Sequence, residues 1–269
     1  MVGLRKRARR EAELLNITVN GISMAYERSG TGAPLLLVHG FPLDHRTWLP
    51  LVPYLEDSFD VIMPDLRGFG HSDAPEGAYQ MNKLATDLAA LLDGLNIQNT
   101  YIAGHSMGGY VSLEFARAAP SRVLGLGMIS SQVAADPPDR KAGRYSTAEQ
   151  VMLKGTSVVA GMADKLSANL ELAPFFRDLI LEQSPQGVIG ALIAMAERPD
   201  SGALFSSFHF PVVIVHGLVD ALIPPERSHQ MKALLPPAKL FELPGIGHTP
   251  AMEIPYETGL RIKNLLTAA

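Results

Sequence analysis

Short apolar runs alternate along this chain with stretches in which apolar residues recur every three or four positions. Ile17-Val19 and Ile22-Tyr26 flank Asn20-Gly21, a dipeptide suited to the positive φ angles of a tight hairpin turn. Leu35-Val38 is a continuous apolar run, and Val61-Met63, Thr100-Ala103, Val123-Ile129, Val212-His216 and the shorter Leu240-Leu243 are further apolar-rich strand candidates. A strand buried on both faces has that character. Between them Asn82-Leu95 carries Leu84, Leu88, Leu91, Leu92 and Leu95 on one helical face. Met107-Ala118, Pro225-Leu235 and Ile254-Leu266 are further predicted helices, the last two with proline near their starts. A hairpin followed by strand–helix alternation predicts an α/β fold with a mostly parallel, doubly wound sheet.

One stretch breaks the rhythm. From Gln132 to Phe208 no strand-like run occurs, and helical patterns are predicted near Thr147-Lys154, Ser157-Leu166, Phe175-Gln183 and Gly187-Glu197. Strand-like segments resume afterwards, so this reads as an insertion at 132–208 into a core formed by 17–131 and 209–269. Residues 1–16 form a basic tail with Arg5, Lys6, Arg7, Arg9 and Arg10. An export signal would follow such a cluster with an apolar stretch of about 7–15 residues; Glu11, Glu13 and Asn16 interrupt it here.

Composition narrows the function classes. With 47% hydrophobic and 19% charged residues, 269 residues suit one globular domain with a large core. The net charge of -4 is mild and does not suggest a surface for nucleic acid or an acidic membrane. No apolar run approaches the roughly 20 residues of a membrane-spanning helix. The chain has no cysteine, which removes disulfides, thiolate metal sites and a cysteine nucleophile. A cytoplasmic setting is the expectation. No pair of histidines has the H-E-x-x-H spacing of a hydrolytic zinc site, and neither a metal nor an organic cofactor is expected.

The candidate chemistry centres on Gly104-His105-Ser106-Met107-Gly108, directly after a strand-like run and before a predicted helix. A serine on so sharp a turn is held out from the sheet edge, beside a helix N-terminus. Its hydroxyl needs a base, and the base needs an orienting carboxylate. On this scaffold the acid and the histidine follow the serine in chain order. Asp220 lies after Val212-His216, in Gly217-Leu218-Val219-Asp220, and His248 lies after Leu240-Leu243, in Gly245-Ile246-Gly247-His248. An oxyanion needs two N–H donors. Met107, next after the serine, supplies one. The loop after Leu35-Val38 supplies the other at Phe41, because Pro42 has no N–H.

These segments, with His39-Gly40-Phe41-Pro42 and Asp65-Leu66-Arg67-Gly68-Phe69-Gly70-His71-Ser72, resemble the α/β-hydrolase fold superfamily over nearly the whole chain after the tail. The resemblance implies an eight-stranded sheet and a helical cap over the active site at 132–208. The pattern is most similar to small carboxylesterases and the 3-oxoadipate enol-lactonase-like group, which Arg198-Pro199-Asp200 also resembles. It implies a cofactor-free serine hydrolase acting on a small-molecule ester or lactone. Carbon–carbon bond hydrolysis and perhydrolysis use the same machinery, and some relatives are small-molecule receptors that keep the triad. Epoxide hydrolases and haloalkane dehalogenases of this fold use an aspartate where Ser106 stands. His39 and His105 are expected to support the oxyanion loops, and Asp65 and Arg67 to brace loops. Trp48 is expected to pack at the start of a helix after the Phe41 loop.

Overall fold

The computed structural model describes residues 13–266; the basic residues of the tail lie outside them. Eight strands form one sheet: β1 (Leu15–Val19), β2 (Ile22–Ser29), β3 (Ala33–Val38), β4 (Phe59–Pro64), β5 (Thr100–His105), β6 (Val123–Ile129), β7 (Val212–Gly217) and β8 (Lys239–Leu243). Their order is β1-β2-β4-β3-β5-β6-β7-β8. The β1–β2 and β2–β4 pairings are antiparallel, and the other five are parallel. The hairpin turn has φ 47° at Asn20 and 81° at Gly21, as the dipeptide required.

The continuous apolar runs have a direct cause. Successive strand residues point to opposite faces, and both faces of this sheet are covered. Leu36 and Val38 of β3 enter one apolar cluster, with Leu84, Leu88 and Leu91 of α1 (Met81–Gly94) and Val111 and Phe115 of α2 (Met107–Ala118). Leu35 and Leu37 enter the other, with Trp48, Leu51, Leu55, Ile262 and Leu265.

Between β6 and β7 the chain is helical: α3 (Pro138–Lys154), α4 (Ala173–Leu181), α5 (Pro185–Glu197) and the short α6 (Gly202–Ser206), with 3-10 turns at Thr156–Lys165 and Leu170–Leu172. Three details differ from the sequence reading. The helix α3 starts at Pro138 rather than Thr147, because its first turns are exposed and polar and only Ala148 and Val151 are buried. The 157–166 pattern folds as a 3-10 run after Gly155 at φ 76°; the β-branched Val158 and Val159, and Gly161, disfavour an α-helix there. The helix α6 is too short to carry a periodic signal. After β7 come α7 (Glu226–Leu234), α8 (Pro250–Glu253) and α9 (Pro255–Lys263). The expected 254–266 helix is therefore confined to Pro255–Lys263. Among the described residues no single helix is long and apolar enough to cross a membrane.

This topology prepares a site. The strand β5 lies centrally, between β3 and β6. Loops leaving the carboxyl ends of β3, β5, β6, β7 and β8 therefore emerge on one edge, where open α/β sheets bind ligands.

Candidate active site

Ser106 occupies the single residue between β5 and α2, with φ 52° and ψ -114°. An L-residue is strained there, at a cost of about 1–3 kcal/mol. The surroundings enforce it. A Cβ on Gly104 would sit 2.2 Å from the Gly108 carbonyl oxygen, and one on Gly108 would sit 2.1 Å from the Val38 oxygen at the end of β3. The backbone is also tied on both sides: Ser106 N–H donates to Ile129 O at 2.9 Å, and Ser106 O accepts from the Ser131 hydroxyl at 2.8 Å. The spaced glycines of the motif thus follow from close backbone approach. Ser106 is half-buried, whereas its neighbours His105 and Met107 are buried.

Asp220 and His248 meet on adjoining loops. His248 Nδ1 lies 2.7 Å from Asp220 Oδ2. An ionised carboxylate only accepts, so Nδ1 carries the proton and Nε2 keeps its lone pair, as a base requires. The other oxygen, Oδ1, accepts from the N–H groups of Leu222 at 2.8 Å and Ile223 at 3.0 Å. Burial alone would raise the Asp220 pKa. The hydrogen bond from His248 and the electrostatic attraction to its ring, with the two backbone donors, outweigh burial and hold it below the usual carboxylate range. Asp220 is 8% exposed and His248 only 1%.

His105 joins this pair to the serine turn. Its Nε2–H donates to the His248 carbonyl at 2.7 Å, and the two rings lie 4.8 Å apart. Burial pushes His105 down to about 3, so it is a neutral strut. Among the described residues no hydrogen bond links the Ser106 hydroxyl to His248. Bonds between nucleophile and base are often long in unliganded enzymes and tighten around substrate.

The two expected oxyanion donors have distinct origins. Met107 opens α2, where the first N–H groups lack intrahelical acceptors. At Phe41 the donor is aimed by its own peptide. His39 Nε2 accepts from Leu66 N–H at 2.9 Å, so Nδ1 carries the proton and donates to Gly40 O at 2.9 Å. Leu43 N–H donates to the same oxygen at 3.0 Å. The Gly40–Phe41 peptide is trans, so its N–H points away from both. Burial keeps His39 neutral by lowering its pKa. The Phe41-Pro42 bond that follows is cis.

Other residues singled out by sequence have bracing partners. Asp65 accepts from His45 N–H at 2.9 Å, His45 Nδ1 at 2.7 Å and His71 N–H at 2.9 Å. Arg67 makes a two-pronged pair with Asp87, at 2.7 and 3.0 Å. Asp44, His45 and Asp65 bring donor atoms within 4.8 Å of one another. The set does not suit a cation: Asp44 is bound by Arg46, and His45 is protonated between Asp65 and Glu27. Burial opposes that proton, but the two carboxylates prevail and push His45 up to about 9. Trp48 closes a 3-10 turn, His45–Trp48, where a helix start was expected, and packs edge-on against His105. Arg198 is a staple: it donates to Met195 O at 2.6 Å and Asp136 Oδ1 at 2.8 Å, and stacks over the Tyr110 ring of α2 at 4.1 Å.

Two positions escaped the sequence reading. Ser131, which holds the serine turn, is an ordinary serine after a strand. Gln183, two residues after α4, donates to Asp44 Oδ2 at 3.1 Å and accepts from Gly70 N–H at 2.8 Å. Only the three-dimensional approach of the helical segment to both loops reveals it.

Residues 33–172 match the α/β hydrolase fold family. The chain belongs to that family. Among solved structures, this α/β hydrolase is similar to a thermophilic esterase from Thermogutta terrifontis with malate bound, at 37% identity and a TM-score of 0.90, covering 95% of this chain and 98% of that one. The enol-lactonase from Burkholderia xenovorans LB400 shares the fold at 22% identity and a TM-score of 0.86, covering 94% of this chain and all of that one (100%). Lipase 3 of Moraxella sp. (strain TA144) is 26% identical over 266 residues, 94% of this chain and 84% of the relative. The protein is thus an α/β hydrolase related to esterases and lipases.

Proposed function

We propose that this α/β hydrolase is a cofactor-independent serine esterase that cleaves carboxylic esters of small or medium chain length through an acyl-enzyme. The observation that carries the reading is the 2.7 Å bond between His248 Nδ1 and Asp220 Oδ2, one His105 side chain away from the strained Ser106 turn. Ser106 Oγ attacks the ester carbonyl as His248 Nε2 takes its proton. Asp220 holds the tautomer and stabilises the imidazolium. The N–H groups of Phe41 and Met107 receive the oxyanion. The tetrahedral intermediate collapses, the alcohol leaves with the proton from His248, and a water activated by the same nitrogen frees the acid. The helical segment at 132–208 acts as the cap over this site. The similarity to the Thermogutta esterase supports an ester over a lactone.

A chain-length series of p-nitrophenyl esters tests the reading. Short or medium chains should turn over repeatedly, and Ser106→Ala should lower kcat by about ten-thousandfold or more. Retention of most activity in Ser106→Ala would refute the mechanism. A single slow turnover that leaves a stable adduct would favour a receptor.

A further inference from the structure

His216 is the one histidine beside the acid that the mechanism above leaves without a role. It lies near the end of β7, four residues before Asp220, and its exposure is 0%. Its Nε2 is 2.9 Å from Ile223 O and 3.5 Å from Asp220 Oδ2. Both neighbours are acceptors, so Nε2 must carry the ring proton. That leaves Nδ1 as a lone pair, buried and without a hydrogen-bond partner among the described residues. A buried nitrogen left without a hydrogen-bond partner is destabilising. An apolar side chain would fill the same place without that penalty, so the useful part of the ring is its Nε2–H.

We propose that His216 is a positioning residue for the Asp220 carboxylate: its Nε2–H pins the Ile223 carbonyl and faces Oδ2, fixing the carboxylate rotation that His248 needs. The proposal rests on the triad reading. The contacts form a closed ring, because Ile223 donates its N–H to Asp220 Oδ1 at 3.0 Å while its carbonyl accepts from His216. The Asp220 oxygens are thereby distinguished: Oδ1 is occupied by backbone donors, and Oδ2 is left for the imidazoles. The ring of His216 works as a neutral donor. Burial lowers its pKa, and the other groups facing it are Asp220, His248, His229 of α7 and, in register on β8, Glu242. His229 and Glu242 are engaged with each other at 2.8 Å.

Steady-state ester kinetics of His216→Leu, His216→Gln and Asp220→Asn test this. His216→Leu should lower kcat about tenfold with little change in KM, and His216→Gln, which restores an N–H donor, should recover most of it. In the Asp220→Asn background, His216→Leu should add little further loss. The proposal is overturned if His216→Leu keeps wild-type kcat, if Gln does no better than Leu, or if the two losses simply multiply. Full activity in Asp220→Asn alone would instead refute the triad reading. Should the variants not fold, ¹⁵N NMR of the wild-type protein decides: at the pH where ester turnover is measured His216 must be neutral, with its proton on Nε2. A protonated ring at that pH, or a proton on Nδ1 alone, contradicts its role.

Discussion

At the scale of single residues, the site is a set of imidazoles around one carboxylate, Asp220. His39 spends both ring nitrogens on backbone groups and His105 one, and both rings are kept uncharged by burial. They fix peptide orientations: His39 aims the Phe41 N–H, and His105 holds the loop that carries His248. The glycines of the serine turn are equally constrained. Gly108→Ala would drive a methyl against the Val38 oxygen at 2.1 Å, a backbone atom that cannot swing aside. We expect this change to lower stability by about 3 kcal/mol or more, read from the denaturant midpoint, and to abolish ester turnover. This part of the site was legible in the sequence, because strain, small neighbours and chain order leave a local signature. The role of Ser131 was not, since one hydroxyl donating to a carbonyl has no pattern.

At the scale of elements, the helical segment is seated on the core by close backbone contact. A Cβ on Gly187, in α5, would lie 1.8 Å from the Gly68 oxygen of the loop after β4. Tyr79 donates to Gly187 O at 3.1 Å, and Gln183 bridges to Asp44 and Gly70. Gly187→Ala should therefore push this end of the segment off the loop. The expected outcome is a lower melting temperature and an altered KM across the ester series, with kcat changed less; unchanged KM and stability would show that the contact yields freely. The strands were legible as buried runs because both faces of the sheet are covered. The helical segment was legible as an interruption, but α3 hid its first turns behind exposed polar residues, and the 3-10 run has no period that a helical pattern can match.

At the scale of the whole molecule, a protonated His45 ties β2 to the exit of β4 through Glu27 and Asp65. Its folded pKa of about 9 lies above the unfolded value of 6.5. Its contribution is therefore complete below about pH 6.5 and is lost as pH rises through about 9, with a magnitude of up to about 3 kcal/mol. Unfolding free energy measured from pH 6 to pH 10 should decline between about pH 6.5 and about pH 9 in the wild type and stay flatter in His45→Gln. Asp220 behaves in the opposite sense: its depressed pKa contributes stability above the unfolded carboxylate value, and that is lost as pH falls through the folded value. The order of loops along the carboxyl edge, and hence the pairing of Asp220 with His248 on the edge that carries the Ser106 turn, followed from strand–helix alternation. The networks around His45 and Gln183 did not, because they join segments far apart in sequence; the His216 contacts are local, but they depend on the loop geometry after β7, which no residue pattern shows. The central claim, that Ser106 is the nucleophile of an Asp220–His248 relay, is tested most directly by titrating the protein with a fluorophosphonate and following intact mass, the labelled peptide and ester turnover together. The account predicts one phosphonyl group per chain, on Ser106, with activity lost in proportion. Full ester turnover in protein phosphonylated on Ser106, or labelling at another residue, would contradict it.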